Sequence, residues 1–320
     1  MRKKNLFMLA TGVAMSFAVS AIPVSAQAES AVKVPEFEGP IEITETSHPF
    51  TVGGTDLEGN GYVLEEYYVS GTSNVYDWGE DGTAEQPQVR TADAPYTTRI
   101  VVRKPQNTSD FSGNVWVELN NPSRGWDVEV QWPVVQEEVM SSGDIWVAMT
   151  AKPNVIASLQ RVDDERYGKL SMANPLSPEE QTVGLLPDEE GYDENLSKLY
   201  ENGLVWDMIS QVGALVRNEN GPLAGYDVDY VFGTGESQTG FFINTYAANF
   251  AENALLEDGS KVYDGFISAS GAGRVVPINQ AVEAISSDDS RSRLPEKHVP
   301  FMQIDAQGDI FGLGSLEWRR

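Results

Sequence analysis

The chain has 320 residues, 48 acidic against 22 basic side chains, a formal charge of -26, no cysteine and two histidines. Disulfides, thiolate metal sites and a lipidated cysteine are thereby excluded, and so negative a surface repels nucleic acids and anionic bilayers. With 41% hydrophobic and 10% aromatic residues, the composition is that of a packed globular protein of one large or two small domains.

Arg2, Lys3 and Lys4 precede an apolar stretch at 6–22, and Val24, Ser25 and Ala26 are the small residues that a signal peptidase reads. Residues 1–26 are therefore expected to be a signal peptide, with cleavage after Ala26 or, as second choice, Ala28. The mature protein is expected to be secreted or periplasmic, with no stable membrane insertion. A membrane anchor is the competing reading, opposed by Thr11, Gly12, Ser16 and Ser20, which dilute the apolar stretch.

Residues 29–45 read as an extended lead-in, 61–76 as a partly exposed strand, and 77–94 as a loop rich in Gly, Asp, Glu and Pro. Strands are expected at 96–102 and 113–119, the second ending in the turn cluster Asn120, Asn121 and Pro122. A helix follows at 128–140, with Pro133 in its first turn or at a kink, and then a buried parallel strand at 144–151. Residues 155–200, weakly patterned and flanked by acidic runs, read as a lid or surface excursion. Apolar spacing predicts a helix at 204–217, a strand at 228–232, a glycine turn at 233–240 and a helix at 241–253. Buried-type strands are expected at 262–268 and 299–304. Such alternation implies an α/β protein with a mostly parallel sheet and a site at the carboxyl ends of its strands.

Three glycine motifs compete at 233–240. A dinucleotide fingerprint needs a third glycine where Gln238 stands, and a phosphate loop needs Lys and Ser or Thr where Phe241 and Phe242 stand. The third is a nucleophile elbow, a serine on a strained strand-to-helix turn between small residues, with Ser237 between Gly235 and Gly240. Thr239 occupies the position of the second glycine in the strict G-x-S-x-G pattern. The competing role for Ser237 is to cap the following helix through its side-chain oxygen.

Four motifs stand in order: GYVLEEYYVSGT at 61–72, RIVVRKP at 99–105, ELNN at 118–121 and GESQTG at 235–240. Together they resemble a bacterial α/β-hydrolase domain family. The resemblance implies an α/β-hydrolase fold over 29–320, Ser237 as nucleophile, and an oxyanion hole from the backbone N–H of Gln238 and a second N–H, that of Asn121. It also implies an acid after the strand at 299–304, with Asp309 first and Asp305 as the alternative. Either aspartate could instead cap local amides.

The base is the difficulty, because His48 precedes the core and His298 precedes the acid-bearing strand. Family members continue with a helix, a last strand and the histidine. The expectation is therefore of a C-terminally incomplete domain lacking its last strand, with His298 as a relocated base the other possibility. Asp56 to Gly61 imitates the start of a calcium loop, but Tyr67 stands where its glutamate belongs, so a hairpin turn is expected there. No cofactor or metal is expected. The function expected is an exported serine hydrolase acting on a small-molecule carboxylic ester through an acyl-enzyme; the alternative is a catalytically silent binding protein on the same fold.

Overall fold

The computed structural model describes residues 31–177, 199–286 and 288–312. The signal-peptide segment and the middle of the expected lid lie outside the described residues. The strands are β1 (Glu36–Glu38), β2 (Tyr62–Asp77), β3 (Gln88–Pro105), β4 (Asn114–Leu119), β5 (Ile145–Met149), β6 (Tyr230–Glu236), β7 (Gly265–Ala269) and β8 (Phe301–Ile304). The helices are α1 (Trp132–Ser142), α2 (Ile156–Val162), α3 (Asp164–Tyr167), α4 (Val205–Arg217), α5 (Gln238–Asn249) and α6 (Gln307–Gly312). Among the described residues one sheet runs in the order β1-β2-β3-β5-β4-β6-β7-β8. The first three strands pair antiparallel, as do β3 and β5, and the remaining pairs are parallel.

Alternation along the strands sorts side chains to two faces. On one face Val115, Val117, Val147 and Val231 join a large core with α4, α5 and the aromatic rings of Trp206, Phe242, Tyr246 and Tyr263. Trp146 lies on the other face with Trp132 and Val139 of α1, and the partly buried Trp116 packs against them. Helix α4 is buried along nearly its whole length and makes a close approach at Gly213, where an added Cβ would stand 2.7 Å from the Tyr263 ring. Pro133 sits at the start of α1, where its missing N–H costs nothing.

Several expectations are corrected. Residues 88–94 belong to β3, because Val89, Thr91 and Ala94 pair with Tyr76, Val75 and Ser73 across a long hairpin. The strand expected at 61–76 mixes buried with partly exposed positions, and the charged Glu66 within it is wholly buried. The start of the expected surface excursion is also core. Val155, Ile156, Leu159, Tyr167, Leu170 and Met172 are buried, while Asp163 of the acidic run caps α3 through the Arg166 N–H at 2.9 Å. Among the described residues β8 is an edge strand, and Met302 and Ile304 are 57% and 53% exposed instead of buried. At 56–61 the chain forms a 3-10 turn closed by the Gly59 N–H on Asp56 Oδ1, in place of the expected hairpin turn.

Candidate active site

Chain direction locates a crevice before any side chain is considered. From β4 the chain passes through α1 to β5 on one side, whereas from β6 it passes through α5 to β7 on the other. The carboxyl ends of β4 and β6 therefore face a point where connections diverge, the usual ligand crevice of open α/β sheets. Asn121 follows β4 there, and Ser237 follows β6.

The glycines at 233 and 235 lie within β6, so the expected glycine turn contracts to one residue. Ser237 has φ 53° and ψ -117° between β6 and α5, a conformation that strains a residue with a side chain. Its side chain makes no helix-capping hydrogen bond, contrary to the capping role, and its N–H donates to Ala269 O at 2.9 Å. Crowding explains the flanking glycines: a Cβ on Gly235 would stand 2.5 Å from Thr239 O, and one on Gly240 would stand 2.8 Å from Ala269 O. Thr239 departs from the strict motif for a visible reason. Its hydroxyl donates to Glu236 O and accepts the Glu236 N–H, each at 3.1 Å, bracing the bend from within. Gly235→Ala and Gly240→Ala are each expected to cost about 1–3 kcal/mol, read as a lower denaturation midpoint, because backbone atoms must move to admit the methyl.

Gln238 opens α5, and the first-turn N–H groups of a helix point past its start and favour negative charge there. Asn121 does not offer the atom expected of it. Its N–H donates to Val128 O at 2.7 Å, and the Val128 N–H returns to Asn121 O at 3.1 Å. What reaches the bend is the side-chain amide, whose Nδ2 donates to Glu236 O at 2.9 Å and lies 3.4 Å from Glu236 Oε2.

The loop from β4 to α1 is held by buried charge. Glu118 accepts the N–H groups of Val130 and Gln131, each at 2.8 Å, and the Trp146 indole N–H at 3.1 Å, at the start of α1. Burial lifts its carboxyl from 4.5 to about 7, helped by nearby Glu129 and opposed by these hydrogen bonds. A carboxyl raised in the folded state binds its proton more tightly there than when unfolded. Stability is therefore expected to fall as pH rises from 4.5 to 7 and then level off, by about 3 kcal/mol at most. Urea unfolding across that range, with Glu118→Gln removing the slope, checks this.

Arg99 and Arg103 stand four residues apart on one face of β3, both buried. Arg103 pairs with Glu129, its Nη2 2.8 Å from Oε2, and stacks over Trp132. Arg99 reaches Glu66 at 2.5 Å, Asp127 and Phe50 O at 2.8 Å, and Thr150 Oγ1 at 3.1 Å. Arg166 pairs with the other oxygen of Glu66; burial disfavours the charge on Arg99, but Asp127 and Glu66 outweigh it and hold the Arg99 pKa above the usual guanidinium value. Three guanidinium groups and three carboxylates thus neutralise one another around the loop. The carboxylate partners Glu66, Asp127 and Glu129 were not singled out from sequence; the available signal was two arginines four residues apart flanking the apolar run Ile100, Val101 and Val102, which require buried acids.

Asp309 lies in the first turn of α6, where Oδ2 accepts the Ala306 N–H at 2.8 Å. Asp305 has both oxygens engaged, with the Ala272 N–H at 3.2 Å and the Gln303 amide at 2.7 Å. Glu236 is half-buried, and burial raises its carboxyl above the ordinary range, with the Asn121 amide opposing the rise and the Asp309 charge adding to it. Both histidines are exposed. His298 precedes β8, at the amino end of strands whose carboxyl ends carry Ser237, so the sheet separates the two.

A family model described as an alpha/beta hydrolase domain matches residues 37–320. No curated protein matches the chain. Among solved structures, acetyl xylan esterase 1 from Thermoanaerobacterium sp. JW/SL YS485 is 14% identical with a TM-score of 0.35, the match covering 74% of this chain and 53% of that one. A Pyrobaculum calidifontis esterase is 13% identical with a TM-score of 0.31, over 65% of this chain and 44% of that one. Prolyl oligopeptidase B from Galerina marginata is 7% identical with a TM-score of 0.31, over 66% and 21%. The chain spans about half the length of the first of these proteins and less of the other two.

Proposed function

The chain belongs to the alpha/beta hydrolase domain family, and from that premise we propose that it is an exported serine hydrolase that cleaves carboxylic esters through an acyl-enzyme on Ser237. The backbone of Ser237 carries this reading: a positive φ at a strand-to-helix bend, with a hydroxyl not used to cap the helix. A serine held so, above the carboxyl end of the sheet, projects its oxygen into the crevice. Export rests on the basic, apolar and small-residue order of 1–26.

In this reading Ser237 Oγ attacks the ester carbonyl carbon while its proton passes to a base. Negative charge developing on the carbonyl oxygen is met by N–H groups at the start of α5, that of Gln238 first. Collapse of the tetrahedral intermediate breaks the bond to the alcohol, which leaves with the proton. Water then attacks the acyl-serine in the same way, releasing the acid and restoring the hydroxyl. Asp309 is assigned the orientation of an imidazole base, and His298 is not that imidazole, since it lies at the opposite end of the strands. Asp305 is the weaker assignment because both its oxygens are spent.

The position of His298 favours a second reading, a binding protein on the same fold that holds an ester without cleaving it. One experiment separates them. A fluorophosphonate reacts with an activated serine, and a peptide map locates the adduct. An adduct on Ser237 supports the hydrolase; an unlabelled Ser237 in a folded chain that still binds esters supports the binding protein and overturns the hydrolase reading.

A further inference from the structure

We infer that the Asn121 side chain is a positioning residue for Ser237, clipping the loop after β4 to the peptide that leads into the serine. The inference deepens the serine-hydrolase reading and rests on it for its catalytic meaning. Three observations carry it. First, Asn121 is immobilised: its backbone pairs with Val128 in both directions, and its Oδ1 accepts the Ser123 N–H at 2.9 Å. With the amide orientation fixed in this way, Nδ2 is aimed at Glu236.

Second, the group it holds is the carbonyl of the Glu236–Ser237 peptide, and the opposite end of that peptide is pinned as well. Asn121 Nδ2 and the Thr239 hydroxyl donate to Glu236 O at 2.9 and 3.1 Å, while the Ser237 N–H donates to Ala269 O at 2.9 Å. The φ of Ser237 is the rotation about the N–Cα bond that leaves this peptide, so fixing the peptide within the sheet supplies the frame against which the Cα–Cβ bond of Ser237 is set. Third, φ 53° is strained, and a strained torsion persists only where its surroundings over-determine it. Asn121 is the member of this set that comes from the far side of the crevice and ties β6 to the loop that faces it. Val128, its backbone partner, adjoins Asp127, which Arg99 holds at 2.8 Å, so the clip stands on a buried anchor.

The test has two arms on the full chain. In the first, the rate of fluorophosphonate modification of Ser237 is compared between wild type, Asn121→Ala and Asn121→Asp. Loss of one aligning hydrogen bond is expected to slow Asn121→Ala about tenfold. Asn121→Asp is expected to show its largest deficit near pH 8 and to recover toward wild type as pH falls to about 4, the ordinary carboxyl range, where a protonated carboxyl again donates to Glu236 O. A purely structural role would not produce that pH-dependent recovery. Equal rates in all three proteins at every pH would overturn the inference.

The second arm needs no activity. Ser237→Gly relieves the strain and is expected to raise the thermal midpoint by about 2–4 °C. In an Asn121→Ala background, where the bend is free to relax, the same substitution is expected to gain less than half as much. Strict additivity of the two substitutions overturns the inference even if Ser237 is never labelled, whereas absence of labelling alone counts against the hydrolase reading.

Discussion

Ser237→Ala is expected to abolish fluorophosphonate labelling and to lower ester turnover about 10⁴-fold or more, while the fold stays intact. The size follows from what the substitution removes. Without Oγ no acyl-enzyme forms, and only the oxyanion donors and substrate binding remain, which in serine hydrolases leave a small residual acceleration over water. Stability is expected to change by under about 1 kcal/mol, because alanine keeps the Cβ that strains the bend and no capping hydrogen bond is lost. Activity and the denaturation midpoint should therefore be measured on the same preparation. A variant that keeps half of wild-type turnover would place the chemistry elsewhere.

Arg99→Met is expected to cost about 3–5 kcal/mol of stability, the largest effect of any single substitution considered. Methionine fills similar volume, so the loss is electrostatic. Glu66 keeps Arg166, but Asp127 keeps only neutral donors, among them Asn120 Nδ2 at 3.1 Å and the Thr150 hydroxyl at 2.5 Å. A buried carboxylate without its cation is the costly product. Arg99→Lys is expected to recover little, since one ammonium cannot reproduce a fork that serves Glu66, Asp127, Thr150 and Phe50 together. Adding Asp127→Asn to Arg99→Met should return part of the loss, because it removes the orphaned charge. A thermal-unfolding cycle over the two positions reads the coupling, and additivity would show that the pair does not act as a unit.

These two residues differ in how readable they were. Ser237 announced itself through local chemistry: a β-branched and aromatic strand, small residues around a serine, then a helical stretch, all within a dozen positions. Arg99 stood in a motif whose meaning lay elsewhere, since its partners Glu66 and Asp127 are 33 and 28 residues away. The acidic run at 163–165 misled for the same reason. Its charge reads as solvated surface, yet the apolar residues around it, Leu159, Tyr167 and Leu170, are buried, and Asp163 is spent on a helix cap and the Ser47 hydroxyl. In β8 the error ran the other way: an apolar strand looks central until the strand order places it at an edge.

Asn121 shows the limit most sharply. Its place in the turn after β4 was legible, and so was its nearness to the bend. Which of its atoms faces Ser237 was not, because that depends on the backbone pairing with Val128, which consumes the N–H and leaves the amide to reach Glu236. Period and turn chemistry are local properties of a chain, so residue order by itself determined the central strands, the helices α1, α4 and α5, the serine at a strand–helix junction and the excess of negative charge, but not the first half of β3 or the short helices α2 and α3. Only the tertiary structure decided the rest: the divergence of connections at β4 and β6, the φ of 53° at Ser237, the anchoring of the facing loop by buried ion pairs, and the separation of His298 from the serine by the sheet. Each of these depends on groups distant in sequence and brought together by packing, and a local pattern carries no record of which distant group will arrive.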